Sequence, residues 1–230
     1  MTKIWTLPGF LGLPSDWDFL KCEHIHAIDL SLFSLKSLRG WAHQFNQFVL
    51  KENEEPSFLM GYSLGGRLAL HALIDSPKQW KGAIIVSAHP GLKTFDEKEK
   101  RLIRDQMWGE RFLKKDWQSL MIEWNGQEVF SSDGFHFPRM EKEYQRQQIA
   151  QMLVNLSLGA QEDITEEILR LPMPIMWITG QDDKRFSQIA SELKFSCEKS
   201  KWLNVENAGH RVPWVQPEVF LKHIREFTNN

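Results

Sequence analysis

The sequence predicts an α/β protein: an open, mostly parallel sheet of about six strands flanked by helices, interrupted by a helical insertion. Short apolar runs of strand length alternate with segments whose apolar residues recur every three or four positions. The strand-length runs are apolar almost throughout, as expected for parallel strands buried on both faces. One stretch of about eighty residues, from Gly91 to about Leu171, carries only helical pattern and is far longer than an ordinary crossover.

Six runs have strand character. Ile4–Leu7 ends at Pro8-Gly9; Ile25–Leu30 follows, with His24 and His26 interrupting it. The others are Ser57–Gly61, Gly82–Ser87, Pro174–Thr179 and Lys201–Val205. Between them, Leu38, Trp41, Phe45, Phe48 and Val49 share one helical face, and Leu64–Ile74 follows the third strand directly. Phe220, Ile224 and Phe227 line a C-terminal helix whose start is marked by Pro217. Such alternation calls for right-handed crossovers. In the long insertion, Ile149, Met152, Leu153 and Leu156 form one stripe, and Trp108, Phe112, Trp117 and Trp124 are spread over earlier turns. We take residues 89–171 as a helical cap, rooted at His89-Pro90-Gly91 and at Pro172 and Pro174, over a core of residues 1–88 and 172–230.

Composition narrows the functional classes. The 230 residues are 42% hydrophobic and 25% charged with a net charge of −2, an ordinary globular mix. This excludes a disordered or fibrous chain and gives no global attraction to nucleic acid or to an anionic membrane. Cys22 and Cys197 match no metal or redox spacing. His24 and His26 share a strand face without an evident third ligand, so no metal is expected. Met1-Thr2-Lys3-Ile4-Trp5 has no export-leader pattern, and no window reaches about 18 apolar residues, so a cytoplasmic location without membrane association is expected. Oligomeric state is left open.

Chemistry concentrates in Gly61-Tyr62-Ser63-Leu64-Gly65, a G-x-S-x-G pattern where a strand gives way to a helix. A serine in that sharp turn stands above the strand's C-terminal edge, where ligands of open α/β sheets bind. A hydroxyl near neutral pH needs an imidazole as base and an acid to orient it. Both follow in chain order, each in a loop past a strand: Gly180-Gln181-Asp182-Asp183 and Asn207-Ala208-Gly209-His210. We assign Ser63, Asp183 and His210 as the triad, preferring Asp183 to Asp182 because it sits at the far end of its turn. The Leu64 amide, at a helix N-terminus, is one oxyanion donor, and the turn Leu7-Pro8-Gly9-Phe10-Leu11-Gly12 offers the Phe10 amide as the second. His89, at the end of the fourth strand, stands beside the expected cleft, whereas His71 falls within the helix after Ser63.

The chain resembles the α/β-hydrolase superfamily throughout, without the usual leading antiparallel strands. Within it, the chain is most similar to the 2-succinyl-6-hydroxy-2,4-cyclohexadiene-1-carboxylate synthases of menaquinone biosynthesis. The similar stretches are Gly61-Tyr62-Ser63-Leu64-Gly65-Gly66-Arg67-Leu68-Ala69, His89-Pro90-Gly91-Leu92 and Trp108-Gly109-Glu110-Arg111-Phe112. They continue through Glu123-Trp124, Val129-Phe130, Gly180-Gln181-Asp182-Asp183-Lys184-Arg185-Phe186 and Ala208-Gly209-His210, and so include the cap.

The resemblance implies a lyase that needs no cofactor and removes pyruvate from a small polycarboxylate by 2,5-elimination. Ser63, backed by His210 and Asp183, would take a ring proton. The Phe10 and Leu64 amides would hold the developing oxyanion. Arg67 and Arg101 would grip substrate carboxylates, for which a guanidinium fork suits better than an ammonium. Tyr62 and Trp124 match pocket positions. A third family arginine falls on Arg139, with Arg146 as a rival.

Two departures stand out. The first turn reads Pro8-Gly9 where the family has His-Gly, and Asp29-Leu30-Ser31-Leu32-Phe33-Ser34 lacks the glycines usual after the second strand. The same triad would also serve a serine esterase or thioesterase, such as a pimeloyl-carrier-protein methyl ester esterase, which does not need the cluster Arg67, Arg101 and Trp124. A non-catalytic binding protein on the same scaffold is a further alternative.

Overall fold

Six parallel strands form one sheet in the order β2-β1-β3-β4-β5-β6 in the computed structural model, which describes residues 2–21 and 23–229. Cys22 lies outside the described residues. The strands are β1 (Ile4–Leu7), β2 (Ile25–Ala27), β3 (Ser57–Tyr62), β4 (Trp80–Val86), β5 (Ile175–Gly180) and β6 (Lys201–Val205). Along β1, β3, β4 and β5, side chains alternate between two buried layers, as the pleat requires. Trp5, Leu7, Leu59, Ala83, Ile85, Ile175 and Trp177 face one layer. Ile4, Phe58, Met60, Ile84, Val86, Met176 and Ile178 face the other.

Each layer is closed by helices whose apolar stripes the sequence anticipates. Helices α1 (Leu38–Glu52) and α2 (Leu64–Asp75) cover the first layer with Trp41, Phe45, Leu68 and Leu73, all fully buried. There Trp41, Phe45 and Trp80 stack in series, with ring centroids 5.1 and 5.9 Å apart. The C-terminal helix α9 (Pro217–Thr228) covers the second with Phe220, Ile224 and Phe227. Trp17 joins them from a 3-10 helix over Pro14–Leu20 that the apolar pattern does not announce.

The long excursion between β4 and β5 is helical: α3 (Phe95–Lys114), α4 (Trp117–Asn125), α5 (Arg146–Asn155) and the short α6 (Thr165–Leu169). Its rings and aliphatic side chains build a third cluster of Trp108, Phe112, Trp117, Leu120, Ile149 and Leu153, which also takes in Leu11 from the turn after β1. Its base is continuous with the main core, since Met152, Leu156, Ile164 and Ile168 pack into the α1/α2 layer. Two short helices follow later strands, α7 (Lys184–Glu192) after β5 and α8 (Val212–Val215) after β6.

One expected strand is shorter than its pattern. Ile25–Leu30 supplies only Ile25–Ala27, because the Asp29 carboxylate accepts from Ser31 N (2.8 Å) and caps a 3-10 turn over Leu30–Leu32. Leu30 is buried from that turn rather than from a strand. Among the described residues no helix is long and apolar enough to cross a membrane.

Phe45 lies at the centre of the stacked aromatic rings with no exposed surface. Phe45→Ala should destabilise the fold by about 3–5 kcal/mol through lost burial and the cavity left behind, measured by urea unfolding at neutral pH.

Candidate active site

The site begins with a backbone constraint. Ser63 joins β3 to α2 at φ 52° and ψ −110°, a conformation that a residue with a side chain rarely adopts. The turn closes only because its neighbours lack side chains. A Cβ on Gly61 would lie 2.3 Å from the Gly65 carbonyl oxygen, and one on Gly65 would lie 2.2 Å from the Leu7 carbonyl oxygen. Ser63 N donates to Val86 O (2.8 Å), which ties the bend to β4.

The loops after β5 and β6 meet over this bend. A Cβ on Gly180 would fall 2.1 Å from the Gly209 carbonyl oxygen, and Asp182 N donates to Ala208 O (2.9 Å). The structure thereby brings the three predicted side chains into one chain of contacts. His210 Nδ1 lies 2.6 Å from Asp183 Oδ2, and His210 Nε2 lies 3.1 Å from Ser63 Oγ. A carboxylate acceptor fixes the ring proton on Nδ1, so the Nε2 lone pair accepts from the Ser63 hydroxyl. His210 is 2% exposed, and Asp183 also caps α7 by accepting from Phe186 N (3.4 Å). Asp182, the rejected alternative, is exposed at the rim of the cleft.

Phe10 and Leu64 both line the cleft beside Ser63, and neither amide has a hydrogen-bond partner among the described residues. Pro8 does not disturb the turn between them. Gly12 N closes it on Gly9 O (2.9 Å), and Leu11 takes a left-handed φ of 60°. Gly9 passes against the Tyr62 ring, where a Cβ would lie 2.7 Å away.

The cleft has a volume of about 430 Å³ and reaches from Ser63 up under the insertion. Arg67, Arg101, Arg104, Lys184 and Arg185 line it and outnumber its acids, Asp105, Glu128, Asp182 and Asp183. Arg67 is 8% exposed, and its guanidinium donates only to neutral acceptors, Gln161 Oε1 (3.0 Å) and Leu156 O (2.7 Å). Burial and then the nearby Arg101 pull its pKa down to about 9, so it remains cationic at neutral pH. Arg101 engages buried Asp105 through Nε alone (2.8 and 2.9 Å), and its terminal nitrogens have no partner among the described residues. Asp105 also accepts from Ser157 Oγ (2.7 Å).

The apolar wall contains Trp124, 4.8 Å from the Phe10 ring and 5.0 Å from Trp108, centroid to centroid. Tyr62 packs 5.4 Å from the His210 ring, and burial raises its pKa. His89 lines the cleft with Nδ1 accepting from Gly91 N (3.0 Å), while Gln161 Nε2 donates to its carbonyl (3.2 Å). His71 is buried in α2 away from the cleft.

The arginine expected as a third substrate ligand is placed elsewhere. Arg139 forms a two-pronged ion pair with Asp16 and does not line the cleft. Its rival Arg146 is bound to Glu141 and to the carbonyls of Phe112 and Lys115. A buried carboxylate captures the first, and Glu141 with two part-buried helix-end carbonyls the second. The cations that do line the cleft, Arg104, Lys184 and Arg185, carried a usable signal. Arg104 is one turn beyond Arg101 on α3, and Lys184-Arg185 directly follow Asp183 at the start of α7. Among the described residues, no group of three or more His, Cys, Asp or Glu side chains is placed to hold a metal ion.

Burial, then Arg185, Arg67 and Arg101, lower the His89 pKa from 6.5 to about 4. The unfolded chain therefore binds this proton first as pH falls. The stability that neutral His89 contributes is complete above pH 6.5 and is lost as pH drops toward about 4. In urea unfolding at pH 7 and pH 5, His89→Gln should lose about 1–2 kcal/mol less than the parent protein between the two conditions.

Comparison with known proteins gives the family of the chain. The model for the alpha/beta hydrolase fold matches residues 27–217. The 2-succinyl-6-hydroxy-2,4-cyclohexadiene-1-carboxylate synthase of Serratia proteamaculans is 30% identical, over 99% of this chain and 92% of its own. The synthase of the same name from Salmonella arizonae is 30% identical over 89% and 84%. Among solved structures, MenH from S. aureus superposes with a TM-score of 0.89 at 20% identity, covering 99% of this chain and 93% of that one. A thermophilic esterase from Thermogutta terrifontis shares the fold more loosely, with a TM-score of 0.71 at 18% identity over 100% and 90%. The chain belongs to the α/β-hydrolase fold family and, within it, to the family of 2-succinyl-6-hydroxy-2,4-cyclohexadiene-1-carboxylate synthases.

Proposed function

We propose that this enzyme is a cofactor-free lyase. It eliminates pyruvate from 2-succinyl-5-enolpyruvyl-6-hydroxy-3-cyclohexene-1-carboxylate to give the 2-succinyl-6-hydroxy-2,4-cyclohexadiene-1-carboxylate named in its relatives. The observation that carries the reading is Arg67: a buried guanidinium beside the reactive serine, hydrogen-bonded only to neutral groups. An unpaired buried ion costs several kcal/mol, which a carboxylate supplied by the substrate offsets and an uncharged ester does not.

The chemistry follows from the contacts. His210 Nε2 draws the hydroxyl proton of Ser63 as its oxygen removes the ring proton next to the succinyl carbonyl, and Asp183 steadies the imidazolium. Negative charge grows on that carbonyl oxygen, toward which the Phe10 and Leu64 amides donate. Each such donor contributes about 3–4 kcal/mol to the transition state. The electron pair then moves through the ring double bond and expels the enolpyruvyl oxygen. The released enolate takes up one proton and leaves as pyruvate, so no water is consumed.

Of the substrate's three carboxylates, Arg67 and Arg101 take two. The third falls to the cationic rim of Arg104, Lys184 and Arg185, in place of Arg139. Residues 89–171 act as the cap that encloses this site, and a cytoplasmic site of action accompanies the reading.

Pyruvate release from the enolpyruvyl compound tests it. Ser63→Ala should lower kcat by at least about 10³-fold. Arg67→Ala should weaken kcat/KM by about 2–4 kcal/mol, in line with loss of a charged hydrogen bond in a dry site. Rapid cleavage of p-nitrophenyl esters with no action on the enolpyruvyl compound would replace the lyase by an esterase.

A further inference from the structure

The Asp16–Arg139 pair stands outside the cleft, yet it joins the two segments on which the Phe10 amide depends. Arg139 Nη1 donates to Asp16 Oδ1 (2.8 Å) and Nη2 to Asp16 Oδ2 (2.6 Å), with side chains only 9% and 5% exposed. Asp16 Oδ2 also accepts from Leu13 N (3.1 Å), holding the chain as it leaves the turn after β1. Its backbone carbonyl accepts from Trp214 Nε1 (2.8 Å), on α8 just beyond His210.

The insertion holds the same turn from above. Tyr144 Oη donates to Leu11 O (2.8 Å), on the residue whose left-handed φ shapes the turn. Trp117 stacks on Tyr144 with centroids 5.2 Å apart, and its Nε1 donates to the Arg139 carbonyl (2.8 Å). The Phe10 ring itself sits between Trp124 and Phe112, 4.8 and 5.5 Å away. A non-glycine residue at positive φ persists only when its surroundings over-determine it. Here most of those surroundings belong to the insertion.

We propose that Asp16 and Arg139 are positioning residues for the oxyanion site: the ion pair fixes the turn so that the Phe10 amide points at the developing charge. The inference rests on the assignment of that amide as an oxyanion donor, and is independent of which substrate is used. It accounts for a two-pronged ion pair at this place without giving Arg139 any contact with the reacting atoms. An ångström of misplacement in such a donor lowers rate without weakening substrate binding.

A fluorophosphonate probe tests the assignment, because its phosphoryl oxygen needs the same amides and it carries no carboxylate. The Ser63 Oγ–P bond forms, the P–F bond breaks, fluoride leaves and the hydroxyl proton passes to His210 Nε2. Asp16→Asn and Arg139→Met should each react about tenfold more slowly than the parent protein, with the double variant no slower than either single. Arg139→Lys, which keeps the charge but loses the fork, should also be slowed, and it serves if Arg139→Met fails to fold. Folded variants that react at the parent rate would overturn the proposal, whether the pair is merely structural or Arg139 is a carboxylate ligand. A parent protein left unmodified at Ser63 would instead remove the oxyanion assignment beneath it.

Discussion

Everything in this site depends on one close approach of backbone to backbone. With φ at 52°, Ser63 stands where only the absence of side chains at Gly61 and Gly65 lets β1, β3 and α2 converge. The constraint does two things together. It sets Ser63 at the cleft, and it leaves the Leu64 amide at a helix start without a hydrogen-bond partner among the described residues. Ser63 and the partnerless Leu64 amide are thus products of a single turn. The loops of Asp183 and His210 repeat the device at Gly180, whose missing side chain lets the Gly209 carbonyl approach.

Features set by local rules were legible in the sequence. The meeting of Ser63, Asp183 and His210 was, because G-x-S-x-G and the two loops after strands are short patterns with fixed mechanical meaning. Strands β1, β3, β4 and β5 were legible to within one or two residues because they are buried on both faces, and the largely exposed edge strand β6 was legible from its short run. The failures have two physical causes, a local side-chain cap and a partner distant in sequence. Ile25–Leu30 looks like a longer strand until Asp29 turns back on Ser31. Arg139 looks like a substrate ligand until Asp16, remote in sequence, is folded against it. Asp105, which holds Arg101 by its Nε, was one helical turn from a residue already chosen and could have been read from that spacing.

The insertion is more than a cover. It supplies Trp124 to the wall, the Gln161 and Leu156 acceptors to Arg67, and Arg101 and Arg104 to the cationic lining. On the other side, Arg211, next to His210, reaches into it through Asn125 Oδ1 (2.8 Å) and Phe135 O (2.6 Å), and Arg211 N donates to Asp133 Oδ1 (3.0 Å). Both the turn after β1 and the loop of His210 are therefore braced by the same excursion from the sheet.

Two buried arginines show how partner chemistry separates structure from recognition. Arg139 has both prongs of its fork filled by a carboxylate, so its charge is already compensated and nothing further is asked of a ligand. Arg67 is comparably buried but meets only an amide oxygen and a backbone carbonyl, and burial, then a neighbouring guanidinium, lowers its pKa. A fold under no other demand would place a hydrophobic residue there, since a well-packed apolar side chain carries no desolvation cost. Arg67 is a cation kept without an anion among the described residues, within the cleft that holds Ser63.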